Sequence, residues 1–463
     1  MNLSQYFPPA QWLKEYQRSW LKGDIVAGLT VGVMLIPQGM AYALLAGLPP
    51  IYGLYTATIP LIVYAFLGTS RQLAVGPVAM ISILTAAGVS GMAASGTPEF
   101  ISLAILLAFL VGLIQFLFGL FRLGFIVNFL SQPVISGFTS AAALIIFFSQ
   151  LKHLLGVQIP RSSHLIETIQ TTLSQTPHTL STLIGMIGIA IIALLKKFKP
   201  AIPGPLVIVA ISILVIWGFG LDQYELKIVG AVPEGLPAFA LPKFELSIIK
   251  TLFPTALAIA MVSFMQSIAA AKAMELKHRN YQIVPNQELI SIGLANTIGS
   301  FFQGFPVAGG FARSAVNDQA GAKTGLASLI SALLLIFTLL FLTPIFYYLP
   351  NTILAAIIIY AAINLINYKV AIELWQTHRT DFWLLISTFL ATLLLGIEQG
   401  IGIGVILSIV MVIFKSSRPH IAELGKVPNT KIYRNVDRFN KLEELDKVLI
   451  VRFGASLYFA NQQ

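Results

Sequence analysis

Cysteine is absent from the 463 residues, which excludes disulfides, thiolate nucleophiles and Cys-ligated metal. Charge is scarce too. Only 10% of the chain is Asp, Glu, Lys or Arg, against 56% hydrophobic residues, and mean hydropathy is +0.82. A soluble domain carries about a quarter of its residues charged, so this composition excludes a water-soluble globule around one core. The six histidines (His153, His164, His178, His278, His378, His420) fall in loops or at the ends of apolar runs, without HExxH spacing. No metal site or cofactor is expected. No Ser–His pair, Asp–Asp pair or HExxH lies at membrane depth, so no catalytic residue is assigned and the chain does not read as an enzyme.

What the chain has in abundance is apolar runs of bilayer length, recurring from Ile25 to Phe414. A helix rising 1.5 Å per residue needs about 20 residues to cross a 30 Å hydrocarbon layer. Fourteen such segments lie near 24–46, 51–67, 74–91, 99–121, 125–150, 180–196, 203–220, 250–272, 287–302, 309–322, 324–343, 350–367, 380–397 and 399–415. The expected fold is an all-α, multi-pass membrane protein. No series of alternating ten-residue segments points to a β-barrel.

Net charge is +10, and its distribution assigns it to topology rather than to a nucleic-acid partner. With a cytoplasmic start, the inside loops carry Arg71, Arg122, Lys196, Lys197, Lys199, Lys272, Lys277, Arg279, Lys323, Lys369, Arg379, Lys415 and Arg418. The outside loops carry chiefly Lys152, Arg161, Lys227 and Lys243. This is the positive-inside pattern, so both termini are expected in the cytoplasm and 221–249 in an external loop. Residues 1–23, with Trp12, Lys14, Arg18, Trp20 and Lys22, read as a cytoplasmic arm at the bilayer interface.

Two segments do not read as ordinary spans. Ala74-Val75-Gly76-Pro77-Val78-Ala79 opens the third, and Phe305-Pro306-Val307-Ala308-Gly309-Gly310-Phe311-Ala312-Arg313-Ser314 opens the tenth. Gly and Pro unwind a membrane helix only where the freed backbone is buried in protein or lines a cavity. The two breaks fall at matching distances from the first and eighth spans, which implies an internal repeat of seven segments. An odd number of segments inverts the second copy, so two half-helices should aim their N-termini at each other near the midplane. Each N-terminus carries about half a positive charge. Arg313 adds a whole one, and an Arg at membrane depth costs about 2.5–3.5 kcal/mol on insertion scales, which marks a pathway or a binding site.

After Arg418-Pro419-His420 hydropathy falls. Residues 421–446 are polar, and Lys447-Val448-Leu449-Ile450-Val451-Arg452-Phe453 reads as a buried strand opening a soluble α/β domain.

Taken together, Ile36-Pro37-Gln38-Gly39-Met40-Ala41-Tyr42-Ala43, Gly47-Leu48-Pro49-Pro50-Ile51-Tyr52-Gly53-Leu54-Tyr55, Val75-Gly76-Pro77-Val78, Arg313-Ser314-Ala315-Val316-Asn317 and Ser416-Ser417-Arg418-Pro419-His420 resemble the sulfate permease (SulP) family of anion transporters. The resemblance implies a uracil-permease-like fold of two inverted seven-segment repeats. Segments 1–4 and 8–11 would form a core, and segments 5–7 and 12–14 a gate, within a membrane domain spanning 24–418. Residues 419–463 would be a linker and the first strand of a largely missing STAS domain. The implied activity is secondary transport of an inorganic oxyanion, sulfate or bicarbonate, across the cell membrane by elevator-type alternating access. A homodimer and a coupling ion, H+ or Na+, are part of the same expectation. An exchanger or anion channel of the family is the alternative, and a nucleobase permease of the same fold a more distant one.

The family's anion site maps onto Val78, Ala79 and Met80 after Pro77, and onto Phe311, Ala312 and Arg313 after Gly310. Gln38 is a further candidate ligand, since a neutral amide donates to an oxyanion without adding charge; the plainer reading is interhelical packing. For Arg313 the plainer reading is a cation that pins the half-helices through backbone carbonyls. Tyr42, Tyr55 and Gly53 read as packing residues, and Phe311 as either a pocket edge or core. Gln266 is the departure: in the family, bacterial and plant members commonly carry a carboxylate here that is tied to proton or sodium coupling, whereas an amide releases no proton. That leaves either an uncoupled or exchange-type transporter or an engineered Glu-to-Gln replacement. Asp24, Glu275, Glu288 and Asp318 lie only near segment ends.

Overall fold

A chain whose backbone must be hydrogen-bonded internally inside lipid has helices as its default, and the computed structural model is built of them. It describes residues 12–125, 131–157, 171, 174–199, 202–278, 281–417, 421–428, 430–439, 442–443 and 448–454. Residues 1–11 of the arm, Arg161, His164, Arg279, Arg418-Pro419-His420, Lys447 and 455–463 lie outside those residues.

The first repeat comprises α1 (Arg18–Ala46), α2 (Ile51–Leu67), strand β1 (Val75–Gly76), α3 (Ala79–Ser90), α4 (Pro98–Leu120), α5 (Gln132–Leu154), α6 (Thr179–Phe198) and α7 (Gly204–Phe219). The second has α8 (Leu246–His278), α9 (Pro285–Phe301), strand β2 (Ala308–Gly309), α10 (Phe311–Gln319), α11 (Leu326–Phe337, continued by a π turn and then a 3-10 turn to Tyr348) and α12 (Asn351–Ile363). It ends with α13 (Tyr368–Thr377), α14 (Arg379–Leu395) and α15 (Ile397–Ser417). The fourteen expected segments are therefore α1–α12, α14 and α15. Helix α13 is an addition that hydropathy did not reveal, because its ten residues are amphipathic rather than apolar.

The repeat is visible in lengths and in packing. Helices α2 and α9 are 17 residues each, and α1 and α8 each contain an internal proline, Pro37 and Pro254. Most of the main contacts recur with the halves exchanged. Helix α1 packs on α11 as α8 does on α4; α2 on α11 as α9 on α4; α1 on α10 as α8 on α3; and α2 meets α9 across the axis. These eight elements form one packed group. Helices α5, α6, α12, α14 and α15 pack chiefly among themselves and, with α7, form a second, joined to the first through α1, α3, α8 and the 3-10 end of α11, on which α7 packs.

Close approach depends on small residues, as membrane helix packing requires. A Cβ on Gly53 would lie 1.9 Å from the Gly39 carbonyl oxygen, so α1 and α2 touch backbone to backbone. Gly112 and Gly293 do the same for α4 and α9. Tyr42 and Tyr55 are buried in the main core, in agreement with a packing role.

Residues 221–249 lie over the ends of α9, α11 and α12: Val229 N–H donates to Leu349 O (2.8 Å), Asn351 N–H to Lys227 O (2.9 Å) and Ala240 N–H to Phe301 O (2.8 Å). Beyond α15 the polar stretch holds strands that the sequence reading did not assign. Strand β3 (Ile421–Lys426) lies between β4 (Tyr433–Asn435) and β5 (Val451–Phe453), all antiparallel. Strand β5 covers only the end of the expected 447–453 strand and, among the described residues, is exposed rather than buried.

Candidate functional site

Helix α3 has 12 residues and α10 has 9, about 18 and 14 Å at 1.5 Å per residue, each roughly half a hydrocarbon layer. Both begin directly after a two-residue strand, and the strands pair antiparallel with Val75 opposite Gly309 and Gly76 opposite Ala308. The helices therefore leave the pair in opposite directions, with both N-termini beside it. The junction is reinforced by Gly310 N–H to Ala74 O (3.0 Å), Ala74 N–H to Ser314 Oγ (3.0 Å) and Ser314 Oγ to Gly310 O (2.8 Å). The facing half-helices were expected; their joining as a sheet was not.

A row of small polar side chains holds β2 from behind. Ser267 Oγ accepts from Gly309 N–H (2.7 Å), Ser263 Oγ donates to Val307 O (2.7 Å) and Asn296 Oδ1 accepts from Val307 N–H (2.8 Å). Asn296 Nδ2 donates to Gln115 Oε1 (3.0 Å), Gln115 Nε2 donates to Ala260 O (3.0 Å), and Thr56 Oγ1 accepts from Phe305 N–H (3.0 Å). Unwound backbone in a buried place must find such partners. Their signal in the sequence is Ser263 and Ser267 at i, i+4 and a lone Asn296, polar residues inside apolar helices.

Neither half-helix has a side-chain cap. The first-turn amides, those of Ala79, Met80 and Ile81 and of Phe311, Ala312 and Arg313, have no intrahelical acceptor. Val78, Ala79 and Met80 are buried, whereas Phe311 is 50% exposed and Ala312 is open as well. That exposure removes the core reading of Phe311.

Arg313 is only 3% exposed. Its Nη1 donates to Pro77 O at 2.6 Å, so it ties α10 to the short link between β1 and α3, as the plainer reading of this side chain required. Its Nε and Nη2 are buried with no hydrogen-bond partner among the described residues. The guanidinium lies over Gly310, where a Cβ would come within 2.8 Å of Nη2, and beside Gly76, where the distance would be 3.4 Å. Two donors thus remain unspent at the junction. A buried donor left unmade costs about 1–3 kcal/mol, which a bound anion would recover.

Gln38 is half-buried. Gln266 is half-buried with Oε1 enclosed and unpartnered, and its neighbour Ser267 grips β2, so it stands at the level of the break. The four carboxylates at the ends of these segments are engaged there. Asp24 accepts from the Lys323 and Thr324 amides and from Thr324 Oγ1 (2.7–3.1 Å). Glu288 accepts from Tyr64 Oη (2.7 Å) and from Thr69 N–H and Oγ1. Glu275 meets Lys272 and the Ile283 amide, and Asp318 bonds Lys277 and His278. No metal-ligating cluster of His, Asp or Glu occurs among the described residues.

Inverted repeats that bring two half-helix N-termini together, with no opposing carboxylate at the junction, define a membrane transporter for anions. The sequence itself agrees: the model of the Sulfate permease family matches residues 21–388, and the chain belongs to that family. It is 42% identical to "Sulfate transporter 4.1, chloroplastic" of Arabidopsis thaliana, over 98% of this chain and 67% of that one. To human "Solute carrier family 26 member 6" it is 34% identical over 100% of this chain and 64% of the relative. The chain thus spans about two thirds of the length of these relatives. The solved structure of SLC26A9 superposes with a TM-score of 0.90 at 29% identity, covering 99% of this chain and 76% of that one.

Proposed function

We propose that this chain carries an inorganic oxyanion, sulfate first, held between the N-termini of α3 and α10. The observation that supports this best is the pair of uncapped half-helices joined at β1–β2 with the unspent Nε and Nη2 of Arg313 beside them. In this reading, the amides after Val78 and Gly310 bond the anion, Arg313 supplies charge and donors, and Gln38 adds a neutral donor. Val78, Ala79, Met80, Phe311 and Ala312 shape the apolar wall. Sulfate is favoured by the name of the 42% identical plant relative; bicarbonate is the competitor to test.

Transport would proceed by elevator-type displacement of the group α1–α4 with α8–α11 against the group α5–α7 with α12, α14 and α15. The membrane domain at 24–418, the arm at 1–23 and the segment at 419–463 are proposed as separate functional units, the last as the start of a STAS domain. A homodimer in the cell membrane, with the first and last segments' outer ends in the cytoplasm, completes the proposal. Exchange is the second reading, favoured by Gln266: the position where the family resemblance implies an ion-coupling carboxylate holds no titratable group.

Uptake of labelled sulfate into proteoliposomes, competed by bicarbonate, chloride, fumarate and uracil, tests the proposal. Saturable sulfate uptake displaced by oxyanions and not by uracil is expected. Folded protein that moves no anion under any gradient, or that responds to uracil alone, contradicts it.

A further inference from the structure

Helix α13 is the element that neither the repeat nor the candidate site uses. Its sequence, Tyr368-Lys369-Val370-Ala371-Ile372-Glu373-Leu374-Trp375-Gln376-Thr377, divides into three faces. Val370, Ala371 and Leu374 are half-buried against the protein; Lys369, Glu373, Gln376 and Thr377 form an exposed polar face. Between them runs a third stripe, Tyr368, Ile372 and Trp375, at i, i+4 and i+7 and 64%, 53% and 46% exposed. An amphipathic helix with an open aromatic and aliphatic edge is what lies in the plane of a bilayer interface.

The surroundings fix which surface covers that edge. Helix α13 joins two membrane segments, and the apolar exposure is continuous with theirs: Ile363 closes α12 at 48% exposed, and Trp383 opens α14 at 59%. Trp375 stacks edge-on with Phe382, which in turn meets Trp383, an aromatic cluster of the kind found at headgroup depth. A soluble protein partner seated on this stripe would have to sit among lipid tails.

Charge then chooses the lipid. Arg379 lies over the Trp375 ring at 5.2 Å. The end of α6 comes alongside, with Lys196 Nζ donating to Asn364 Oδ1 (2.9 Å) and lying 5.3 Å from the Tyr360 ring. Lys197 and Lys199 follow in sequence, and Lys369 opens α13. Five cations, Lys196, Lys197, Lys199, Lys369 and Arg379, thus accompany this rim against two carboxylates, Glu373 and Asp381. We infer that α13 and the end of α6 form a docking surface for anionic phospholipid headgroups in the leaflet on the side where α1 begins, anchoring the α5–α7, α12, α14 and α15 group in the bilayer.

The test uses the full chain in phosphatidylcholine nanodiscs and reads the apparent affinity for a fluorescent phosphatidylglycerol tracer, with a phosphatidylcholine tracer as reference. The wild type is expected to prefer phosphatidylglycerol, and about 0.5 M NaCl to abolish most of the preference. Each cation removed in K196Q, K369Q and R379Q should weaken it by up to about fivefold. E373Q should strengthen it, and this arm still decides the matter if the cation variants do not fold. Equal affinity for the two tracers in the wild type, or a preference that salt and E373Q leave unmoved, overturns the inference.

Discussion

Arg313 is buried, spends one donor on Pro77 O and leaves two unspent, so its pinning and field-supplying roles can be separated by substitution. Arg313→Gln removes the charge while keeping a short polar side chain. A charge-assisted hydrogen bond contributes about 1.5–3 kcal/mol, so sulfate uptake at low concentration should fall about 10- to 100-fold. Arg313→Lys keeps the charge without the fork and should lie between. A Km for sulfate that R313Q leaves unchanged, in protein of unaltered thermal stability, would reduce Arg313 to a tie between helices. Gln266 carries the complementary prediction. Its amide titrates at no relevant pH, and Asp24, Glu275, Glu288 and Asp318 are all engaged at segment ends. Gln266→Glu should therefore make uptake rise as the external side is acidified, where the wild type changes little; pH-jump uptake assays read this directly.

For the elements, glycine substitutions distinguish the site from the scaffold. Gly310→Ala would place a Cβ 2.8 Å from the Arg313 fork, a flexible end that can move, so flux should drop with little loss of stability. Gly53→Ala would drive a Cβ into the Gly39 carbonyl at 1.9 Å. Backbone cannot yield so easily, and overpacking of this kind costs about 1–3 kcal/mol or more, read as a lower unfolding temperature. Ser267→Ala removes the acceptor for Gly309 N–H and should lower both stability and sulfate affinity, because it frees the strand from which α10 starts.

How far these elements could be read in sequence depends on their physics. The two breaks were legible because Gly and Pro interrupt apolar runs at matching places, and facing N-termini followed from the odd repeat. The β1–β2 pairing was not, since two residues carry no periodicity. Helix α13 escaped because a hydropathy window averages its polar and apolar faces. Ser263, Ser267 and Asn296 looked like ordinary polar residues until the backbone they satisfy was in place. Strands β3 and β4 were hidden in a polar segment whose alternation is weak, and β5 was read as buried because its apolar composition does not tell an exposed strand from a buried one.

Over the whole molecule, the symmetric contacts group α1–α4 with α8–α11, and the connections of that group to the other helices run through α1, α3, α8 and the 3-10 end of α11. The carboxylates reinforce that group at one end: Asp24 joins α1 to the start of α11, Glu288 joins α9 to α2, and Asp318 joins α10 to the end of α8. A unit bound in this way can move as a block and carry the β1–β2 junction with it, which is what an elevator displacement requires. A disulfide engineered across the seam between α3 and α5 should stop sulfate flux until it is reduced, while leaving binding intact.

The central claim is that an oxyanion sits between the two half-helices, and anomalous diffraction from crystals grown with selenate, the heavier isostere of sulfate, tests it most directly. The account predicts one strong selenium peak within hydrogen-bond reach of the first-turn amides of α3 and α10, weakened in R313Q. Selenium bound elsewhere in the molecule, with the junction empty at concentrations that saturate uptake, would contradict it.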